Sequence, residues 1–142
     1  MCGIFFFNDA CYTEADYEAM KAAFEAGSGR GPEKSSLNYV PQIDSWIGFH
    51  RLAINGLTSD ADQPLCLYDC KLICNGEIYN FKELARSLDI DLKTGSDCEI
   101  IIHLYKRFGI EHTLKQLDGV FSFILIDLGK EDIFVARDPF CV

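Results

Sequence analysis

Apolar positions along this 142-residue chain follow two different periods. Short apolar runs bounded by turn residues predict strands, whereas apolar residues three or four positions apart predict amphipathic helices. The predicted strands are Cys2–Phe7, Trp46–Ile54, Val120–Asp127 and Asp132–Arg137, with a hairpin of Leu65–Leu67 and Lys71–Cys74. The predicted helices are Thr13–Ala26, about Asn80 to Leu88, about Asp97 to Phe108, and a short one with Leu114 and Leu117. The hairpins favour antiparallel sheets, so the pattern predicts an α+β fold.

Polar residues mark where several of these elements begin and end. Thr13 is a plausible N-cap for the first helix, and Asn80 with Glu83 forms an Asn-x-x-Glu helix start. The glycine-rich stretch Gly27–Pro32 predicts a loop, and Leu128–Glu131 predicts the turn of a hairpin.

Composition and charge narrow the class of protein. The chain is 49% hydrophobic and 25% charged, as expected for one globular domain over residues 1–142. A net charge of −9 disfavours nucleic acid and anionic membranes as partners, and the longest apolar runs are too short to cross a bilayer. Seven cysteines without a secretory signal indicate a reducing compartment, so we expect a cytoplasmic protein.

Cys2 is the first candidate for chemistry. If Met1 is removed, one residue carries both a thiol and a free α-amine, and the amine can act as the general base for the thiol. Taken alone, an incidental or buried cysteine explains this residue at least as well.

Seven short segments have to be explained together with Cys2. They are Met1-Cys2-Gly3-Ile4, Arg30-Gly31-Pro32-Glu33, Gly48-Phe49-His50-Arg51-Leu52-Ala53-Ile54, Gln63-Pro64-Leu65, Asn75-Gly76-Glu77-Ile78-Tyr79-Asn80, Ser96-Asp97-Cys98-Glu99-Ile100-Ile101 and Ala136-Arg137-Asp138-Pro139-Phe140. From Cys2 to Phe140 this series resembles the glutaminase domain of glutamine-dependent asparagine synthetases. That domain is a class II glutamine amidotransferase of the N-terminal-nucleophile (Ntn) hydrolase type. The resemblance implies a four-layer αββα sandwich of two antiparallel sheets. It also implies that Cys2–Phe7 is a central strand, with Cys2 at the sheet's edge beside an Asn75-Gly76 turn.

The resemblance assigns catalytic roles to three residues. Cys2 would be the nucleophile, and the Asn75 side chain with the Gly76 backbone N–H would stabilise the tetrahedral oxyanion. The alternative for Asn75-Gly76 is a type I′ hairpin turn, which the adjoining Glu77–Asn80 disfavours.

The same resemblance assigns the binding of zwitterionic glutamine. Arg51 would hold the α-carboxylate, with an ordinary surface arginine as the alternative. Asp97 would face the ammonium group, and a helix N-cap is an alternative compatible with that role. The pocket would also be lined by Leu52, Ile54, Asn75, Gly76 and Glu77.

Other candidates carry weaker chemistry. We expect His50 to be structural, and His103 and His112 to lie on helix surfaces. The four-residue spacing of the three cysteines at positions 66, 70 and 74 suggests zinc, but the chain has no Cys-x₂-Cys pair. Cys11 and Cys98 are best explained as buried or half-buried residues. We therefore predict no metal site.

Four departures from the family pattern stand out. Gly29 replaces a histidine, Glu33 an aspartate, Asn55-Gly56 a valine and aspartate, and Cys141 a glycine. The family also continues beyond this point, into further strands and an ATP-using synthetase domain whose Ser-Gly-Gly-x-Asp-Ser loop is not found here. We thus expect a C-terminally incomplete glutaminase domain, without the synthetase domain and with at least one unpaired sheet edge.

The expected function is hydrolysis of L-glutamine to glutamate and ammonia through a thioester on Cys2. The resemblance implies no cofactor for this chain, while ATP and magnesium would serve a synthetase domain acting in cis or in trans. A homodimer stays open. The alternatives are a catalytically weak or silent homologue that serves as a binding or regulatory module, and a thiol-rich metal-binding protein.

Overall fold

The computed structural model describes residues 2–8, 13–54 and 56–140. The strands are β1 (Gly3–Asn8), β2 (Lys34–Val40), β3 (Ser45–Arg51), β4 (Leu65–Leu67), β5 (Cys70–Ile78), β6 (Gly119–Asp127) and β7 (Asp132–Arg137). The helices are α1 (Glu14–Ala26), α2 (Phe81–Ser87), α3 (Glu99–Phe108) and α4 (Ile110–Gln116). Short 3₁₀ turns cover Ser28–Arg30, Pro41–Ile43 and Ser59–Ala61. No helix among these residues is long and apolar enough to cross a membrane.

The strands form two antiparallel sheets, which confirms the predicted α+β class. The first sheet has the order β1-β3-β2, and the second has the order β4-β5-β6-β7. In the second sheet β5 and β6 pair along their whole length, from Cys70 opposite Asp127 to Ile78 opposite Gly119.

One apolar cluster joins the two sheets. Ile47 and Phe49 of β3 pack with Ile73 of β5 and with Ile124 and Ile126 of β6, all at most 7% exposed. Cys2, Ile4 and Phe6 of the N-terminal segment are half-buried against the same cluster. The segment from Cys2 to Phe6 is therefore held directly against the contact between the sheets.

Helices cover the opposite faces of the sheets. On the first sheet, Phe24 of α1 stacks on His50 with ring centroids 4.1 Å apart and meets Phe5 edge-on at 5.7 Å. On the second sheet, Phe123 and Leu125 belong to a larger cluster that includes buried residues of α2 and α3. The alternation of side chains along each strand thus supplies two apolar faces per sheet.

The strands of the structure differ from the predicted strands in three ways. β2 was not predicted, because its polar sequence lacks apolar alternation, yet it pairs with β3 from Lys34 to Val40. As a result β3, and not β1, is the central strand of the described sheet. The strand predicted over Trp46–Ile54 ends at Arg51, whereas β5 continues past Cys74 to Ile78.

Helix ends agree only in part with the sequence. Thr13 caps α1 as predicted, in a reciprocal capping box with Asp16. The Asn80 side chain does not cap α2; instead it donates to the Gln116 carbonyl at 2.8 Å and accepts from the Asp118 N–H at 3.1 Å. α3 begins two residues later than expected, and α4 ends before Leu117. The predictions for Met1, Cys11, Asn55 and Cys141 fall outside the described residues.

Glu99 fixes the loop that leads into α3. Its fully buried carboxylate accepts hydrogen bonds from the backbone N–H groups of Lys93 and Thr94 and from the Thr94 hydroxyl, and it contacts His103 Nε2 at 3.1 Å. Burial raises the pKa of Glu99, but the bonds from Thr94 and Lys93 outweigh burial, so the pKa lies below its ordinary value.

Truncating the fully buried Phe123 ring should leave a cavity under α3. We expect Phe123→Ala to lower the free energy of unfolding by about 3–5 kcal/mol in urea titrations. Val135→Ala on the neighbouring strand is the control, because Val135 is 71% exposed and its loss should change stability by less than about 0.5 kcal/mol. Equal effects would contradict the assigned core.

The depressed pKa of Glu99 also predicts a pH dependence. Its stabilisation is complete above the carboxyl pKa of the unfolded chain, about 4.3, and is lost as the pH falls through the folded value. Glu99→Gln should therefore be less stable than the wild type at pH 7 and lose less stability between about pH 5 and pH 3. Parallel curves for the two proteins, measured by urea unfolding, would show that Glu99 is not the responsible group.

Candidate active site

A cavity of about 300 Å³ lies where the ends of β3 and β5 meet the N-terminus and the loop before α3. Its walls include all eight residues that the sequence proposed for the site: Cys2, Arg51, Leu52, Ile54, Asn75, Gly76, Glu77 and Asp97. These residues come from four separate stretches of chain. The fold therefore brings together what the sequence presents as distant motifs.

Cys2 is half-buried and immediately precedes β1, whose Gly3 pairs with His50 of β3. The Cys2 Sγ lies 3.4 Å from both the carbonyl oxygen and the backbone nitrogen of Leu52. The Leu52 N–H can donate to the sulfur and the thiol can donate to the Leu52 carbonyl, so the backbone of Leu52 positions Sγ. Arg30 Nε donates to the Cys2 carbonyl at 3.3 Å, a further contact that positions Cys2.

Asn75 and Gly76 lie within β5, opposite Ser122 and Phe121, so they do not form a turn. A Cβ on Gly76 would lie 2.1 Å from the Val120 carbonyl oxygen, and the φ of +154° also disfavours any side chain. The Asn75 Oδ1 is buried and has no hydrogen-bond partner within the described part of the chain. An unpaired buried amide oxygen is costly, which points to a functional reason for this side chain.

Arg51 is not a surface arginine, since its side chain is only 12% exposed. Its Nη1 forms an ion pair with Asp62, and its Nη2 donates to the carbonyls of Gly56 at 2.6 Å and Thr58 at 3.1 Å. The guanidinium is thus fixed in orientation, on a residue that lines the cavity.

Asp97 is 3% exposed, and its Oδ2 accepts from the Ile78 N–H at 2.6 Å. It does not cap α3, because the N-cap residue is Cys98 and no side-chain capping bond forms there. The carboxylate instead links the loop before α3 to the end of β5, at the cavity wall. The predicted capping role is therefore wrong.

Two further residues shape the cavity without having been assigned a role from sequence. Gln63 pairs with the backbone of Cys74, donating to its carbonyl at 3.1 Å and accepting from its N–H. The Glu33 carboxylate accepts from the Ala53 N–H at 3.1 Å, on the segment that also carries Leu52 and Ile54. Gln63 lies in the Gln63-Pro64-Leu65 motif, and Glu33 stands where the family has an aspartate. The sequence therefore singled out both positions without giving either a role in the site.

The histidines are placed largely as expected. His50 is buried between the Ser35 hydroxyl at 2.7 Å and the Phe24 carbonyl at 2.8 Å, so its structural role is confirmed. His112 lies exposed on α4. His103 differs, because its ring is half-buried between Glu99 and the Tyr68 hydroxyl.

The cysteine spacing that suggested zinc does not bring the three thiols together. Among the described residues, one group could offer three ligand atoms to a cation: Asp69, Cys70 and Asp127. Lys106 Nζ lies 2.6 Å from Asp69 Oδ1 and 3.6 Å from Asp127 Oδ2, so an ammonium group already balances these carboxylates. Neither Cys66 nor Cys74 belongs to the group.

Two buried thiols differ from Cys2 in their surroundings. A hydrogen bond with Cys74 is the main cause that raises the pKa of Cys98 well above its ordinary value, and burial is the second cause. Burial raises the pKa of Cys70 to about 11. Both groups are therefore neutral thiols near neutral pH and poor nucleophiles. Cys98 is fully buried, as the sequence predicted.

Comparison with known proteins agrees with this geometry. The family model described as "Glutamine amidotransferase domain" matches residues 1–142. The chain is 40% identical over 148 residues to "Asparagine synthetase [glutamine-hydrolyzing]" of Gallus gallus, 39% to that of Rattus norvegicus and 38% to that of Homo sapiens. In each case the match covers 100% of this chain and 25% of the relative, so the chain spans about a quarter of their length. The chain belongs to the glutamine amidotransferase domain family.

Proposed function

We propose that this chain is the glutaminase part of a glutamine-dependent asparagine synthetase. It would hydrolyse L-glutamine to glutamate and ammonia, and the ammonia would serve the ATP-dependent amidation of aspartate by a synthetase domain acting in cis or in trans. The observation that carries the proposal is the cavity that gathers Cys2, Asn75, Arg51 and Asp97. The names of the relatives supply the choice among amidotransferases.

The chemistry begins at Cys2 once Met1 has been removed. The α-amine takes the proton of the thiol, and the sulfur attacks the side-chain amide carbon of glutamine. Collapse of the tetrahedral intermediate breaks the C–N bond, and the ammonium group of Cys2 returns a proton to the departing ammonia. Water then attacks the thioester, which releases glutamate and the thiol. The backbone of Leu52 would position Sγ for this attack.

The oxyanion of this intermediate needs hydrogen-bond donors that are already in place. Asn75 and Gly76 would supply the side-chain amide and a backbone N–H. The absence of a side chain on Gly76 allows the close contact with β6 that holds this part of β5 in position. Asn75 and Gly76 both line the cavity that Cys2 lines.

The two charged ends of glutamine would bind to opposite charges. Arg51 would hold the α-carboxylate and Asp97 would hold the ammonium group, with Leu52, Ile54 and Glu77 along the walls. This chain would need no cofactor, because neither hydrolytic step uses one; ATP and magnesium would belong to the synthetase reaction. The proposal places the protein in the cytoplasm. The packing of α1 on one sheet and of α2 and α3 on the other supports the four-layer αββα arrangement of the Ntn hydrolases.

A second candidate is a catalytically weak or silent homologue that serves as a binding or regulatory module. It is favoured by the Arg51 guanidinium, which already bonds Asp62 and two loop carbonyls, and by the departures at Gly29 and Glu33. The two candidates can be distinguished by turnover, because only the glutaminase would release ammonia from L-glutamine.

A free N-terminal cysteine should be essential for that turnover. We expect the processed protein to release ammonia from L-glutamine, whereas a form with one uncleaved residue before Cys2 should be inactive because its α-amine has become an amide. Cys2→Ala should also be inactive, and Cys66→Ala, which alters an exposed thiol, should match the wild type. Full activity of the blocked form would exclude the N-terminal mechanism, and an inactive processed form would favour the silent module.

The remaining site residues should separate kcat from KM. Asn75→Ala should lower kcat by about 10²–10³, the usual effect of losing one oxyanion donor, with little change in KM. Arg51→Ala and Asp97→Asn should mainly raise KM, because their partners carry the same charge in the ground and transition states. Steady-state kinetics with melting temperatures measured in parallel tests this. If Arg51→Ala lowered kcat and left KM unchanged, the assignment of Arg51 to substrate binding would be wrong.

A further inference from the structure

Arg51 lines two cavities, as do Phe49 and Gln63. Besides the candidate active site, a second cavity of about 250 Å³ is lined by Lys34, Asp62 and Arg51, together with residues of β2 and β3. Arg51 lines both cavities, whereas Lys34 and Asp62 line only the second. The two charged neighbours of Arg51 therefore do not line the active-site cavity.

Asp62 orients the Arg51 guanidinium, but its negative charge also offsets the positive charge of that group. The Asp62 carboxylate accepts from Arg51 Nη1, which fixes the guanidinium together with the carbonyls of Gly56 and Thr58. A single carboxylate bonded to a single arginine would, however, cancel most of the positive charge that a substrate carboxylate is attracted to.

Lys34 balances the negative charge of Asp62. Its ammonium group forms an ion pair with the other oxygen of the same carboxylate, Oδ2. The hydrogen bond from Lys34 is the main cause that keeps the pKa of Asp62 below its ordinary value. The three side chains together carry one net positive charge, and Arg51 is the member of the three that lines the active-site cavity.

We propose that the Lys34–Asp62 pair is a positioning device that orients Arg51 and preserves its positive charge for the α-carboxylate of the substrate. The inference rests on the proposed function, since it concerns the group that would hold glutamine. It adds two positioning residues, Lys34 and Asp62, and neither belongs to one of the motifs recognised in the sequence.

The test is a double-mutant cycle that changes charge while conserving shape. Lys34→Met leaves Asp62 free to neutralise Arg51, and should weaken L-glutamine binding by about fivefold, the usual scale for a partly exposed ion pair. Asp62→Asn keeps an oxygen acceptor for Nη1 and should bind at least as tightly as the wild type. The double variant again has one net positive charge and should bind within about twofold of the wild type.

Binding is measured by calorimetry in a Cys2→Ala background, so that it does not depend on turnover. L-Glutamine α-amide, which lacks the carboxylate charge, is the matched ligand, and its affinity should not respond to Lys34→Met. Melting temperatures check that each variant is folded. Equal weakening in Lys34→Met and the double variant, or equal weakening for both ligands, would overturn the inference and indicate a packing role for the lysine stem.

Failure of the inference can be told apart from failure of the proposed function. Ammonia release by the protein with intact Cys2, combined with no coupling in the cycle, would overturn only the role of Lys34 and Asp62. No detectable binding of L-glutamine to any variant, with no ammonia release, would overturn both.

Discussion

The contact between the two sheets is the constraint on which the rest of the structure depends. Ile47 and Phe49 of β3 pack against Ile73 of β5, and the strands continue from there into Arg51 and Asn75. Side chains alternate between the faces of a strand, so a register slip of one residue would turn the Asn75 side chain away from the cavity. The antiparallel pairing of β5 with β6 fixes that register over nine residue pairs. Packing of apolar residues thus decides where the polar residues of the site lie.

The polar groups around the cavity are fixed to different degrees. Arg51 and Asp97, which line it, already have protein partners that hold their orientation. Asn75 differs, because its buried Oδ1 lacks a partner among the described residues. The two charged groups are thus oriented before any ligand binds, and groups that are already oriented need not reorient during a reaction.

Local patterns predicted the elements that depend on local physics. α1 begins where Thr13 indicated, and the β6–β7 hairpin forms around the expected turn. β2 was missed because its pairing with β3, and not its own polar sequence, makes it a strand. The eight proposed site residues lie in contiguous motifs and could be found from sequence, whereas Ala61, Cys74 and Val120 of the cavity wall lie outside them. Lys34 and Asp62 could not, since 28 positions separate this ion pair and no local pattern connects them.

Covalent labelling by an electrophilic glutamine analogue, a diazo ketone in place of the side-chain amide, tests the central claim most directly. The claim is that Cys2 is the nucleophile of a glutamine site. Intact mass and peptide mapping should find one label, on Cys2, and excess L-glutamine should prevent it. The exposed Cys66 serves as the internal control for unspecific reaction. Label distributed over Cys66 as well as Cys2, or labelling that L-glutamine does not slow, would contradict the account.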